Sequence, residues 1–175
     1  TMSQLTTTLK QLKLSGLGTT LELRLQEAGA NRLSHREFLE LILQDEINLR
    51  HQKRIELRTR SAEFTKLKTL EDFDWRFNNT VSRKDIYELA AGHFIRQQRD
   101  VLLIGPPGVG KSHLAQAIGQ AAIRAGFLVL YRSIFDLVRE LMSEPTQAGE
   151  GRLMAKYLKP DLLIIDDMGL KVLPA

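Results

Sequence analysis

One stretch of the sequence has residue types and a spacing that are suited to holding phosphate. It reads Gly105, Pro106, Pro107, Gly108, Val109, Gly110, Lys111, Ser112, and it fits G-x-x-x-x-G-K-[ST], the P-loop or Walker A pattern. Glycine allows positive φ angles without steric cost, so successive N–H groups of such a loop can point at an anion. We predict that Lys111 reaches the β- and γ-phosphates of a nucleotide, that Ser112 gives a hydroxyl ligand to Mg²⁺, and that His113 completes the cofactor-binding stretch.

A pair of carboxylates follows an apolar run later in the chain. Asp166 and Asp167 come directly after residues 162–165, which are leucine and isoleucine, as in the Walker B pattern. A carboxylate in that place can simply cap the next turn, but the upstream P-loop favours a role in metal binding. We predict that Asp166 holds Mg²⁺ and that Asp167 orients the attacking water as a base. The predicted catalytic residues are therefore Lys111, Asp166 and Asp167, and we expect slow turnover because Asp reaches less far than Glu.

Three continuous apolar runs predict the strands that must position these groups. They cover residues 101–104, 127–131 and 162–165. Such runs are typical of strands that are buried on both faces, and helix-like segments separate them, so the pattern predicts an α/β fold with a parallel sheet. After the P-loop, Leu114, Ile118 and Ala122 recur at helical spacing, which predicts a helix that packs back on the sheet.

The N-terminal part of the sequence is predicted to be helical. Leucine stripes indicate two short helices at about 5–12 and 17–28, and Gly29 is expected to end the second. Ser34 and Glu37 have the spacing of a capping box, which predicts a third helix that runs to about residue 66.

Two further capping boxes predict helices nearer the P-loop. Ser82 with Asp85 predicts a helix to about residue 97, and Ser133 with Asp136 predicts another. Gly126 is placed to end the helix that follows the P-loop.

Two segments are expected to be irregular. In 69–79, Phe73 and Trp75 either lie against the base of the nucleotide or pack as ordinary interface residues, and the second interpretation is favoured. Residues 143–151 are expected to form a surface loop. We therefore expect three regions: a helical region that binds DNA or a partner (1–68), a linker with the helix leading into the core (69–99), and a nucleotide-binding core (100–175).

Composition narrows the class of protein. The 175 residues include no cysteine, which excludes disulfides and thiolate metal sites. No stretch approaches the roughly 18 uncharged apolar residues of a membrane helix, and no secretory signal pattern opens the sequence. We expect a cytoplasmic protein that does not bind membranes, with Mg²⁺ as its catalytic metal.

The net charge of +4 is unevenly distributed. Residues 1–70 hold 12 basic and 8 acidic side chains, which accounts for the whole excess. Such a basic segment is suited to a phosphate backbone, although a solvated helix face would look the same. The candidate DNA-binding residues are Arg50, Lys53, Arg54, Arg58 and Arg60.

The sequence resembles the IstB-type ATPases, which are transposition helpers of bacterial insertion sequences and relatives of DnaC-type helicase loaders in the AAA+ class. The resemblance rests on an N-terminal helical region, on the segment TLEDFDW, and on two core blocks, LLIGPPGVGKSHLAQAIGQAAIRAGFLVLY and LLIIDDMG. It implies an AAA+ P-loop core and an ATPase that binds ATP, assembles into ATP-dependent oligomers on duplex DNA and assists a transposase. The absence of an N-K-x-D motif also favours ATP over GTP.

Three alternatives to the transposition helper remain open from the sequence. One is a helicase loader that uses the same core in DNA replication, and another is a nucleotide-sensing adaptor without catalysis. The third, which is the least favoured, is a small-molecule kinase that would require an acceptor pocket and lid arginines. The resemblance also implies a sensor strand, an arginine finger and a lid beyond Walker B. We therefore expect that the C-terminal part of the core is missing from this chain, and that its ATP turnover is slow or absent.

Overall fold

The helices and strands follow from the capping and hydrophobic patterns of the sequence, with several differences in their bounds. The structure is a computed structural model that describes residues 4–78, 80–143 and 147–168, with only the backbone described for 147–150. In chain order, the elements of this described part are α1 Gln4–Gln11, α2 Ser15–Asn31, α3 His35–Ser61, α4 Arg83–Ala90, α5 His93–Arg96, α6 Lys111–Arg124, β1 Val129–Ser133, α7 Ile134–Ser143, α8 Gln147–Leu158 and β2 Leu162–Asp166.

The chain divides into two compact units, residues 1–56 and residues 57–175. We call them the helical unit and the nucleotide unit. The expected division into regions 1–68, 69–99 and 100–175 concerns function and stays a prediction.

The helical unit has a small apolar centre. Leu9, Leu17 and Ile42 are buried there. The predicted capping box is confirmed at the start of α3, because the Glu37 carboxylate accepts the N–H of Ser34 at 2.8 Å and the N–H of Glu37 donates to the Ser34 hydroxyl at 3.3 Å.

The ends of two helices in this part of the sequence differ from the predictions. Helix α2 passes through Gly29 and ends at Asn31, with Arg32 in the left-handed conformation at its C-terminal cap. Helix α3 ends at Ser61 and not near residue 66, and Glu63 has a φ of +57°. The reason is tertiary: residues after Ser61 leave the helix to contact α6, where the Thr65 hydroxyl donates to the Gln116 side chain at 3.1 Å.

The nucleotide unit contains a parallel sheet, which confirms the α/β fold class. In the described residues the sheet consists of β1 paired in parallel with β2, in a register that places Tyr131 opposite Ile164 and Ser133 opposite Asp166. Helix α6 packs on it, and the predicted stripe of Leu114, Ile118 and Ala122 is buried as expected.

The first predicted strand is wrong. Residues 101–104 are not assigned to a strand, and within the described ranges they pair with neither β1 nor β2; Leu102 and Ile104 are 77% and 84% exposed. A strand requires a neighbouring backbone at hydrogen-bonding distance, and an apolar run does not reveal whether one is there.

Two other expectations near the core are corrected. The helix predicted from Ser82 to about residue 97 is capped as expected, since the N–H of Asp85 donates to the Ser82 hydroxyl at 3.3 Å, but it breaks at Gly92. Gly92 has a φ of +75°, and a Cβ there would lie 2.8 Å from the Phe127 ring. In the expected loop 143–151, helix α8 begins at Gln147, and 144–146 lie outside the described residues.

The remaining helix signals near the core are confirmed. The N–H of Asp136 donates to the Ser133 hydroxyl at 3.1 Å at the start of α7, and Gly126 follows α6 with a φ of +99°. Across the described residues, no helix combines the length and the apolar character that a bilayer crossing requires.

Candidate nucleotide-binding site

The P-loop has the backbone conformation that its glycines predict. Gly108 and Gly110 have φ angles of +83° and +94°, a region that side chains with a Cβ rarely adopt. Helix α6 begins directly afterwards at Lys111, and no side chain of the described residues caps its N-terminus. Its first N–H groups and the positive end of its dipole therefore remain available to an anion.

The segment upstream of the core braces the P-loop. The Phe73 ring packs so closely that a Cβ on Gly110 would lie 2.6 Å from it. The Asn78 side-chain amide donates to the Val109 carbonyl at 3.1 Å. Phe73 is 7% exposed, so it is a packing residue, as the favoured interpretation expected.

His113 and Trp75 belong to the same brace. A ring nitrogen of His113 lies 2.9 Å from the Thr69 carbonyl oxygen, and the imidazole meets the Phe73 ring edge-on with centroids 5.2 Å apart. Trp75 packs edge-on to Phe73 at 4.8 Å and stacks on Tyr87 at 5.9 Å. The side chain of His113 therefore holds the linker, while its backbone belongs to the start of α6.

Lys111 is held inside the loop that it is predicted to serve. Its ammonium donates to the carbonyl oxygens of Gly105 and Pro106 at 2.8 and 2.7 Å. The positive charge is thus already localised beside the backbone that would surround a phosphate.

Asp166 ends β2 with both carboxylate oxygens engaged. Oδ2 accepts the Tyr131 hydroxyl at 2.6 Å, and Oδ1 accepts the N–H of Asp167 at 2.8 Å. Burial by itself would raise the pKa of Asp166, but the hydrogen bonds from Tyr131, Ser112 and the Asp167 backbone, with the charge of Lys111, hold that pKa below its ordinary value. Asp166 therefore stays ionised.

Asp167 has the opposite electrostatic environment. Burial, together with the negative charges of Asp166 and Asp136, raises the pKa of Asp167 above its ordinary value. The pKa of Asp166 is thus lowered and that of the adjacent Asp167 is raised. Such a difference is common where one carboxylate holds a cation and the other exchanges a proton.

Ser112 and Asp166 fit a magnesium ion. Both line the cleft, and the Ser112 hydroxyl helps to lower the pKa of Asp166. Hard oxygen ligands are what Mg²⁺ takes, with nucleotide phosphates and water completing the set. Among the described residues, no cluster of three or more His, Cys, Asp or Glu side chains could hold a metal by itself.

Lys111, Ser112, Asp166 and Asp167 line one cleft of the nucleotide unit. Its volume is about 720 Å³, which lies in the range of sites for ligands of nucleotide size. The lining includes P-loop residues from Gly105 to His113, the segment 99–103, and residues 162–168. Leu102 contributes apolar surface to the same cleft.

The comparisons with known proteins agree with this geometry. The family described as IstB-like ATP binding protein matches residues 7–174. The chain belongs to this family. IstB-like proteins are P-loop NTPases, so the α/β core with its phosphate-binding loop is the family's fold.

Several relatives are named as ATP-binding proteins of insertion sequences. One from Pseudomonas aeruginosa, of insertion sequence IS21, is 38% identical over 96% of this chain and 63% of its own length. One from Mycobacterium tuberculosis is 35% identical over 93% of this chain and 65% of its own. One from Pseudomonas fluorescens, of IS1162, is 37% identical over 99% of this chain and 74% of its own. The chain thus spans somewhat less than two thirds of the length of the first two.

The candidate DNA-binding residues of this IstB-like chain differ in how they are engaged. Arg50 donates to Glu46 at 2.6 Å, Lys53 donates to the Ser15 hydroxyl at 3.1 Å, and Arg58 donates to the Gly126 carbonyl. Arg54 and Arg60 are exposed and make no side-chain hydrogen bond or ion pair with any residue that the structure describes. They are the two of the set whose charge is fully available to a partner.

Sequence reasoning missed two residues of the site. Asn78 lies in the irregular segment 69–79, where only the aromatic residues give a sequence signal. Tyr131 ends an apolar run that predicts only a buried strand, and it lies 35 positions from Asp166. Its one visible signal is a hydroxyl inside that run, which requires a buried partner.

Proposed function

We propose that this IstB-like chain binds ATP with Mg²⁺ in the P-loop cleft and hydrolyses it. The observation that carries the proposal is the convergence of Lys111, Ser112 and Asp166 on one cleft at the N-terminus of α6. Membership in an ATP-binding family supports the choice of nucleotide.

Different groups of the chain bind the phosphates, hold the metal and accept the proton. The N–H groups at the start of α6 bind the phosphates, and Lys111 exchanges the carbonyls of Gly105 and Pro106 for phosphate oxygens. Ser112 and Asp166 would hold Mg²⁺, which offsets phosphate charge when bound. Asp167, with its raised pKa, accepts a proton from the attacking water.

Binding is tested with a fluorescent ATP analogue. Lys111→Ala is expected to weaken affinity by at least about 10-fold, because a hydrogen bond to a charged group contributes roughly 1.5–3 kcal/mol. Lys84→Ala removes an exposed lysine of the same unit and serves as the matched control with unchanged affinity. Equal affinities for all three proteins would refute the assignment.

Hydrolysis is tested separately by phosphate release. Asp167→Asn is expected to lower the rate by about 100-fold, the lower end of what a general base supplies, without weakening binding. A wild-type chain that binds ATP without any turnover would remove hydrolysis from the proposal and favour the nucleotide-sensing adaptor.

DNA binding is the next part of the proposal. It is supported by the basic composition of residues 1–70 and by the exposed guanidinium groups of Arg54 and Arg60. The slope of log K against log salt concentration for duplex binding counts the phosphate contacts. Arg54→Ala and Arg60→Ala are each expected to reduce this salt slope by about 1, as the loss of one contact would. Arg36→Ala, which removes an arginine already paired with Glu40, is the control. Unchanged slopes in both test variants would remove these arginines from the interface.

The partner is proposed to be the transposase of the same mobile element, and ATP is proposed to favour self-association. The first rests on the relatives' names, which place them in insertion sequences, and the second on the resemblance of the sequence to the AAA+ class. Pulldown of the transposase with ATP but not with Lys111→Ala protein, and ATP-dependent sedimentation, are the expected results. Capture of a replicative helicase in place of the transposase would favour the helicase loader.

A further inference from the structure

Tyr131 makes an unusual contact for a residue in the middle of a buried strand. Its side chain is 4% exposed, and its hydroxyl donates to Asp166 Oδ2 at 2.6 Å. A phenylalanine would fill nearly the same volume without a polar group to satisfy. The hydroxyl therefore has a role beyond packing.

The strand pairing explains how Tyr131 reaches Asp166. Tyr131 lies opposite Ile164 in the parallel register, and Asp166 is two residues further along β2, on the same face as Ile164. A tyrosine is long enough to span this diagonal. Because the N–H of Asp167 binds the other oxygen at 2.8 Å, the two donors together fix the orientation of the carboxylate.

Tyr131 is itself held by the segment that follows α3. Its backbone N–H donates to the Ala62 carbonyl at 2.8 Å, and the Phe64 ring lies 6.1 Å from its own ring, centroid to centroid. The segment after α3 thus fixes the tyrosine, and the tyrosine fixes Asp166.

We propose that Tyr131 is the positioning residue of Asp166, holding its carboxylate in the orientation that receives Mg²⁺ beside the Ser112 hydroxyl. The proposal rests on the proposed function, since it assumes that Mg²⁺ and a nucleotide bind in this cleft. It assigns Tyr131 no contact with the nucleotide.

The test compares nucleotide affinity with and without the metal. The Kd of a non-hydrolysable ATP analogue is measured in excess MgCl₂ and in EDTA, and the ratio of the two values gives the gain from magnesium. Tyr131→Phe is expected to reduce this gain by about tenfold, because partners that orient metal ligands typically contribute 10–100-fold to metal affinity. The Kd in EDTA should not change, since the P-loop is untouched.

The chain offers a matched control. The Tyr157 hydroxyl also donates to a carboxylate, Glu140, at 2.9 Å, but not to the magnesium site. Tyr157→Phe should leave the gain at the wild-type value. Binding of Mn²⁺ followed by electron paramagnetic resonance gives a second readout in which the Tyr131→Phe complex should hold the metal more weakly.

Tyr131→Phe could lower the stability of the fold as well as the affinity for metal. A double-mutant cycle with Asp166→Asn separates these two effects. All proteins are titrated below the unfolding transition of the least stable one, and Tyr131→Phe should have no further effect on the gain once Asp166 is replaced. A gain that Asp166→Asn abolishes but Tyr131→Phe leaves intact would overturn the positioning role alone. A wild-type chain that does not bind the analogue would overturn the proposed function with it.

Discussion

The two units of this IstB-like chain are stabilised in different ways. The nucleotide unit buries apolar side chains of α6 and β1, and Ile123 is completely inaccessible. The helical unit has few buried apolar residues and depends on carboxylates of α3: Glu46, 5% exposed, accepts the N–H groups of Gly16 and Leu17 at 2.7 and 3.2 Å, and Asp45 pairs with Arg24.

The difference shows what each unit has to hold in place. Phosphate and metal chemistry requires side chains fixed to within about 0.5 Å, which a close-packed support provides. The helical unit leaves Leu39, Leu43 and Ile47 more than half exposed, so its packing places fewer demands on position. Four substitutions test this contrast, beginning with the largest expected effect.

Ile123→Ala should destabilise the nucleotide unit by about 3 kcal/mol, because truncating a fully buried isoleucine loses contacts and leaves a cavity. The chain's one tryptophan, Trp75, lies in this unit, so its fluorescence during urea unfolding reports the change. Ile123→Val is the graded control, with a loss of about 1 kcal/mol. A loss for Ile123→Ala no larger than that of the control would contradict the packing argument.

Glu46→Ala should destabilise the helical unit by about 2 kcal/mol. The N–H groups of Gly16 and Leu17 at the start of α2 would lose their acceptor, and an unsatisfied buried donor costs about 1–3 kcal/mol. Hydrogen exchange of the α2 amides measures the effect. Glu40→Ala, at an exposed position of α3, should leave that exchange unchanged; equal acceleration by both variants would argue against Glu46 as a cap.

Acid should weaken the helical unit through Asp45. Its hydrogen bond with Arg24 lowers the pKa of Asp45 from 3.8 to about 2 in the folded chain. The Asp45–Arg24 pair therefore contributes its full stabilisation of the folded state above about pH 4. This contribution is lost as the pH falls through about 2. Asp45→Asn should cost about 1 kcal/mol at neutral pH, as for a well-oriented, partly exposed pair, and should flatten the dependence of thermal unfolding on pH in that window. An unaltered acid profile would show that the pair contributes nothing.

Leu43→Gln should change the stability by less than about 0.5 kcal/mol, because the leucine is 51% exposed and exposed substitutions are usually within that limit. Its neighbour Ile42 is 2% exposed, and Ile42→Ala should cost about 2 kcal/mol, the lower end for such truncations. Thermal unfolding followed by circular dichroism compares the two. A large loss for Leu43→Gln would show that this side chain is covered in solution.

Much of the site could be predicted because its signals are local. The positive φ angles at Gly108 and Gly110 follow from the P-loop spacing, and the Ser34, Ser82 and Ser133 caps follow from residues three positions apart. The predicted positions of the helix ends are less accurate. Gly29 lies inside α2 and the predicted helix from Ser82 breaks at Gly92, since contacts with other segments decide where a helix stops.

The sequence alone determined the phosphate-binding loop, the acidic strand end and the α/β class, because short-range steric and hydrogen-bonding rules specify each of them within a few residues. Only the tertiary structure decided that 101–104 does not pair with β1 or β2, that Phe73 closes over Gly110, and that the Tyr131 hydroxyl meets Asp166. The last two contacts join residues more than 30 positions apart, and strand register and packing, which no local pattern encodes, bring them together.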